Sequence, residues 1–210
     1  MLLLAVCLGA RAAREPDDYR EDLMAGAAAR VASVSASGAL EDAVALAERF
    51  QRQVEPSAPV TYEIAFALNR MGRRPEAIAR YTKALALDPD HAASLYDRGE
   101  LYLLDGRIDL AKADFEHAAI LVPDHWAVHF RLAELAARDH DAAAFESHLT
   151  DAVRNGFDFR SLIVRGPDGA PTMDPNWRGW AHDPDLGKVI TKLVVLYSQE
   201  DLLELLQAPR

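Results

Sequence analysis

Apolar and polar positions follow a helical period through the middle of the chain, and the pattern is stated twice. In "AIARYTKALALDPDH", Ala77 to His91, Ala77 and Ala84 flank Tyr81 on one helical face. The same face returns in "AKADFEHAAILVPDH", Ala111 to His125, displaced by 34 residues, with Ala111, Phe115 and Ala118 in the matching places. Set in rows of 34, Ala65 aligns with Gly99, Gly72 with Gly106 and Pro89 with Pro123. The rows run Ala58–His91 and Ala92–His125, and a third starts at Trp126. Each row predicts two helices. Ala65 and Gly99 lack bulk where the pair would cross, and Gly72 and Gly106 supply the positive φ that ends a first helix. Tyr81 and Phe115 are the large wedges between helices, and Pro89 and Pro123 stop the second helix. One such pair cannot bury its apolar stripe alone, so neighbouring rows must cover it.

Weaker rows flank these two. Upstream, "GALEDAVALAERFQRQVEP" places Ala43 in the Ala77 column, with Ala47 and Phe50 in the columns of Tyr81 and Ala84. Its first helix is expected around Tyr19–Ser33, with Asp17 and Asp18 as caps. Downstream, Trp126–Ala137 and Asp141–Arg154 predict a further pair, with Ala133 in the Gly99 column but Phe145 where an alanine is expected. Residues 155–187 then hold nine glycines and prolines, enough to forbid a regular helix there. The tail "DLGKVITKLVVLYSQEDLLELLQ" reads as helix again.

Small, aromatic and proline positions recurring together at this period resemble the tetratricopeptide repeat, strongly over Ala58–Pro123. The resemblance implies an all-α fold: a short α-solenoid of helix-turn-helix repeats, closed by an irregular C-terminal cap ending in a helix. The segment "NGFDFRSLI…DPDLGKVI" resembles the extended cap of some bacterial arrays of this type. The expected organisation is an apolar N-terminal segment at 1–16, an array at 17–155 with units near 24–57, 58–91, 92–125 and 126–155, and a capping segment at 156–210. In this family the first helices line a concave groove that takes peptides. Residue by residue, that implies a partner-binding set of Tyr62, Phe66 and Asn69, then Tyr96, Glu100 and Leu103, then Phe130 and Glu134. Tyr62, Tyr96 and Phe130 share one column and favour an apolar or aromatic-bearing segment. The basic clamp by which some relatives hold a terminal carboxylate is missing: Arg131 is the one basic candidate, beside Glu100 and Glu134. The same aromatic column could instead be filled by the chain's own Trp177–Trp180 segment or terminal helix.

Composition narrows the partner. A net charge of −10 argues against a nucleic-acid backbone, which needs clustered Lys and Arg. Cys7 is a single cysteine and excludes an internal disulfide or a cysteine metal site. "MLLLAVCLGA" is too short to span a bilayer, but followed by Arg11 it matches the apolar core of an export signal without its basic start. Exported, if residues 1–13 are a truncated signal peptide, or cytoplasmic otherwise, are both open, and "LAVC" only partly matches a lipid-attachment box at Cys7.

Catalytic signatures are missing: there is no phosphate-cradling glycine loop, "GxSxG" or "HExxH". His125 and His129 stand four apart, a metal-ligand spacing, but no third ligand accompanies them; His125 occupies the pre-helix turn, in the column of His91, and His129 a column that packs between helices. A hidden enzyme would have to draw on Asp168, Asp174, His182 and Asp183 in the irregular segment. The expectation is therefore a non-catalytic protein-interaction scaffold without cofactor or metal, binding a protein or peptide. The alternative is an envelope-associated structural or assembly component whose groove its own C-terminal segment fills.

Overall fold

One backbone device recurs at 34-residue intervals. Gly38, Gly72, Gly106 and His140 all have positive φ, at 89°, 75°, 71° and 54°. After the last three, the next N–H reaches back five residues: Arg73 to the Leu68 carbonyl at 2.9 Å, Arg107 to that of Tyr102 at 2.8 Å and Asp141 to that of Ala136 at 3.0 Å. This closure satisfies carbonyls that a helix end leaves without donors. Glycine serves the left-handed conformation without strain, and His140 is a residue type that tolerates it.

The computed structural model describes residues 16–53, 55–165, 169–197, 199 and 202–203. The apolar N-terminal reading, with Cys7, lies outside the described residues, as do Asp168 and the chain beyond 203. Among the described residues the fold class is all-α, with one small antiparallel ribbon in the C-terminal cap. The chain divides into two compact units, Met1–Ser94 and Leu95–Arg210.

In the first unit, α1 (Pro16–Ala36), α2 (Leu40–Gln53), α3 (Ala58–Arg70) and α4 (Arg74–Leu87) form two hairpins. The first helix is described from Pro16, so Asp17 and Asp18 fall within it rather than before it. Met24, Ala27 and Val31 of α1, at helical spacing, are buried, as are Ala43 and Ala47 of α2. Ile64, Ala65 and Leu68 of α3 and Ala77, Tyr81 and Ala84 of α4 complete this core. Polar ties fix the two hairpins side by side. Gln51 donates to the Thr61 hydroxyl at 2.7 Å, and Arg70 donates to the Ser35 carbonyl at 2.6 Å.

In the second unit, α5 (Ala92–Leu104, from Leu95) pairs with α6 (Ile108–Leu121), and α7 (Trp126–Arg138) with α8 (Ala142–Arg154). A Cβ on Gly99 would lie 2.8 Å from the Phe115 ring, which shows why the chain omits bulk there. Arg98 and Asp114 bridge α5 and α6 through bonds of 2.8 and 2.7 Å, both largely buried. The cap follows: a short 3-10 turn at Phe159–Leu162, then β1 (Ile163–Arg165) and β2 (Pro171–Met173), antiparallel with Ile163 opposite Met173. Helices α9 (Pro175–Ala181) and α10 (Leu186–Leu196) follow, and beyond them Leu202 is buried and Gln199 accepts from the Phe159 N–H.

The expectation that glycine and proline forbid a helix in 155–187 is corrected by α9. Pro175 takes its first turn, where the missing N–H costs nothing, and the Asp174 side chain accepts from the N–H groups of Asn176 and Trp177. Phe145 breaks the alanine column because its neighbour here is the cap rather than another small-faced helix. Its ring meets Trp177 at 6.0 Å and Trp180 at 6.5 Å. Phe145, Phe159, Met173, Trp177, Ile190 and Leu193 are all fully enclosed, each side chain contributing about 1.5–3 kcal/mol on burial.

Candidate functional site

Helical spacing places the predicted residues of each first helix on one face. In the first unit, Tyr62, Phe66 and Asn69 of α3 are half-buried. The Tyr62 ring packs against Tyr81 of the paired helix at 5.7 Å, against His91 at 5.3 Å and along Phe66 at 6.1 Å. One repeat later, in the second unit, Tyr96 meets Phe115 at 5.7 Å and His125 at 5.8 Å. The second-helix ring and the histidine after the proline thus hold the column aromatic in the same way each time.

The second unit adds charge. Arg131 donates from Nε and Nη2 to both oxygens of Glu100, at 2.6 and 2.7 Å, and from Nη1 to Glu134 at 2.7 Å. Burial pulls the Arg131 guanidinium down, but the bonds and charges of Glu100 and Glu134 outweigh it and hold it above its ordinary value. Arg131 is thereby committed to two carboxylates, so it offers no clamp for a terminal carboxylate. Burial, and then the Glu100 charge, push the Tyr96 hydroxyl up. Leu103 completes this face of α5 and is half-buried.

The third-repeat positions, Phe130 and Glu134, are differently placed. Trp177 lies flat on Phe130, with centroids 5.3 Å apart and planes at 11°, and Phe157 packs on Phe130 at 4.5 Å. The Trp177 indole N–H donates to Glu134 at 3.3 Å. That face of Phe130 is taken by the chain's own Trp177.

Two of the candidate acids of the irregular segment, Asp174 and Asp183, serve as caps. Asp174 caps α9, and Asp183 Oδ1 accepts from the backbone N–H groups of Asp185 and Leu186, which hold its carboxyl below the usual range. His182 Nδ1 bonds the Arg178 carbonyl at 2.7 Å. His182 and Asp183 border an open cleft of about 670 Å3 with His140 and Trp180, where His140 Nδ1 stands 3.6 Å from Asp183. No nucleophile with an oriented base accompanies them among the described residues.

His129 does not converge with His125. Its Nε2 bonds the Pro123 carbonyl at 2.9 Å and its Nδ1 faces His148 of α8 at 3.5 Å, while His125 packs on Tyr96. Among the described residues no three His, Cys, Asp or Glu side chains converge as metal ligands. Nor is any described helix long and apolar enough to cross a membrane. Sequence reasoning missed His148 as the neighbour of His129 and His140 as the left-handed turn residue. The second could have been found, because His140 stands 34 residues after Gly106.

Comparison with known proteins fits this geometry. The tetratricopeptide repeat profile matches residues 57–119. A tetratricopeptide repeat and J domain-containing co-chaperone, DNJ1, of Cryptococcus neoformans is 33% identical over 107 residues, 50% of this chain and 20% of the co-chaperone. The probable biofilm formation methyltransferase WspC of Pseudomonas putida is 31% identical over 110 residues, 52% of this chain and 25% of WspC. The chain therefore spans a quarter or less of these curated relatives. Among solved structures, PilF of Pseudomonas aeruginosa superposes with a TM-score of 0.62 at 17% identity, over 91% of this chain and 79% of PilF. MamA of Desulfovibrio magneticus RS-1 gives 0.62 at 16% identity, over 81% of this chain and 91% of MamA. YrrB, described as "a TPR protein with an unusual peptide-binding site", gives 0.51 at 14% identity, over 60% of this chain and 65% of YrrB. At these identities the structures share the fold alone.

Proposed function

Because the chain is a tetratricopeptide repeat protein, we propose that it is a non-catalytic interaction scaffold whose first-helix faces bind a peptide or protein segment. The observation that carries this reading is the repeated aromatic column. Tyr62 and Tyr96 are each propped by a second-helix ring and a histidine, and each stays half-buried rather than enclosed. Half-buried aromatics on a rigid scaffold are the groups that anchor partner segments. The description of YrrB makes a peptide the first partner class to test. Asp174, Asp183 and His182 support the non-catalytic reading, since their hydrogen bonds serve helix ends.

The stack of Trp177 on Phe130 favours a second reading for the third repeat alone, in which the cap occupies the face and a structural role follows. Recovery of partners by the intact chain and by a Tyr62→Ala, Tyr96→Ala double variant distinguishes the readings. The scaffold account predicts loss of specific partners by a variant whose circular dichroism is unchanged. Equal recovery by both discards it.

A further inference from the structure

The chain contains its own example of what a repeat face can hold. Trp177 rests on Phe130 with nearly parallel rings and donates its indole N–H to Glu134, and it is fully buried there. Phe130 and Glu134 are four residues apart on α7, so a ring platform and a carboxylate acceptor share one face. One repeat earlier, 34 residues back in each case, Tyr96 and Glu100 of α5 repeat the spacing of an aromatic ring and a carboxylate. The helix under them matches too, with Gly99 in the Ala133 column. Arg131 bonds both carboxylates, so the two sites share one guanidinium that holds each acid in place. The Glu100 side chain is 27% exposed, against 22% for Glu134, which already holds its indole.

We infer that Tyr96 and Glu100 form a subsite for a tryptophan side chain of the partner segment, stacked on the Tyr96 ring with its N–H donated to Glu100. The inference rests on the scaffold reading above and names the residue recognised. Glu100 can serve although Arg131 binds both its oxygens, because each carboxylate oxygen accepts more than one donor. Tryptophan is specified over phenylalanine by the acceptor: a ring without a donor leaves the Glu100 lone pairs unmatched. The first unit offers no equivalent, because Phe66 stands where Glu100 and Glu134 do and supplies no acceptor. Indole preference is therefore a property of the second repeat.

The test is selection of a random 12-residue peptide library on phage against the intact chain, followed by fluorescence polarisation with the selected peptides. Selected peptides are expected to share one tryptophan. Its replacement by leucine in the peptide, which leaves the protein untouched, should weaken binding about tenfold or more. Tyr96→Leu should weaken it similarly, Tyr96→Phe little, and phenylalanine in place of the peptide tryptophan should give an intermediate loss. Peptides that lose affinity to Tyr62→Leu or Tyr96→Leu but share no tryptophan overturn the indole subsite and leave the scaffold reading standing. No selected peptide, or peptides indifferent to both tyrosines, overturn both.

Discussion

Trp177 and Phe130, 47 residues apart in the chain, stack at 5.3 Å with planes 11° from parallel. The contact joins the C-terminal cap to the last repeat and decides where the array ends. Trp177 also meets Phe145, Phe159 and Trp180, so it is the hub of the cap. Trp177→Ala should lower stability by about 3–5 kcal/mol, and Trp177→Phe by less, because the stack survives while the bond to Glu134 is lost. Denaturant unfolding followed by circular dichroism measures both.

Gly99 lies under the Phe115 ring with no room for a methyl group. Gly99→Ala gains up to about 1 kcal/mol of helix propensity but forces a buried ring off its place, at about 1–3 kcal/mol. The net expectation is a small loss of stability, read as a lower denaturant midpoint. Gly72→Ala is costly for a different reason, its φ of 75°, and should also destabilise although space around it is open.

Arg98 and Asp114 form the second unit's most enclosed ion pair among those described. The bond to Asp114 raises the Arg98 guanidinium above its ordinary value despite burial. Asp114→Ala removes both of the pair's bonds from a largely buried guanidinium and should cost about 3 kcal/mol. The Arg98→Met, Asp114→Leu double variant should recover much of that loss, which a double-mutant cycle on thermal unfolding would show.

The repeated columns made most of the fold legible, since Ala65, Gly72, Tyr81 and their counterparts each have one packing reason for recurring. The cap was less legible. Glycine and proline density argued against a helix in residues 155–187, yet Asp174 followed by Pro175 is itself a helix-start pattern, and α9 begins there. The pairing of Trp177 with Phe130 depends on how the cap folds back, which no local period encodes. His125 and His129 looked adjacent by spacing, but the real neighbour of His129 sits on the next helix.

That neighbour gives a pH dependence. Burial first, and then the His129 charge, lower His148 below its ordinary value of 6.5, against weaker opposing effects of Asp151 and Glu116. The unfolded chain then binds the proton more readily, so this stabilisation is complete above about pH 6.5 and is lost as pH falls through the folded value. Melting temperature should drop between neutral and mildly acidic pH, and His148→Gln should remove part of that drop. A pH series of thermal melts on both proteins measures it.

The central claim is that partners meet the first-helix faces. NMR spectra of the isotopically labelled chain, recorded with and without a selected peptide, test it most directly. The account predicts shifts centred on Tyr62 and Phe66 of α3 or on Tyr96, Glu100 and Leu103 of α5. Shifts confined to the outer residues of α4 and α6, such as Leu87 and Ile120, would contradict it.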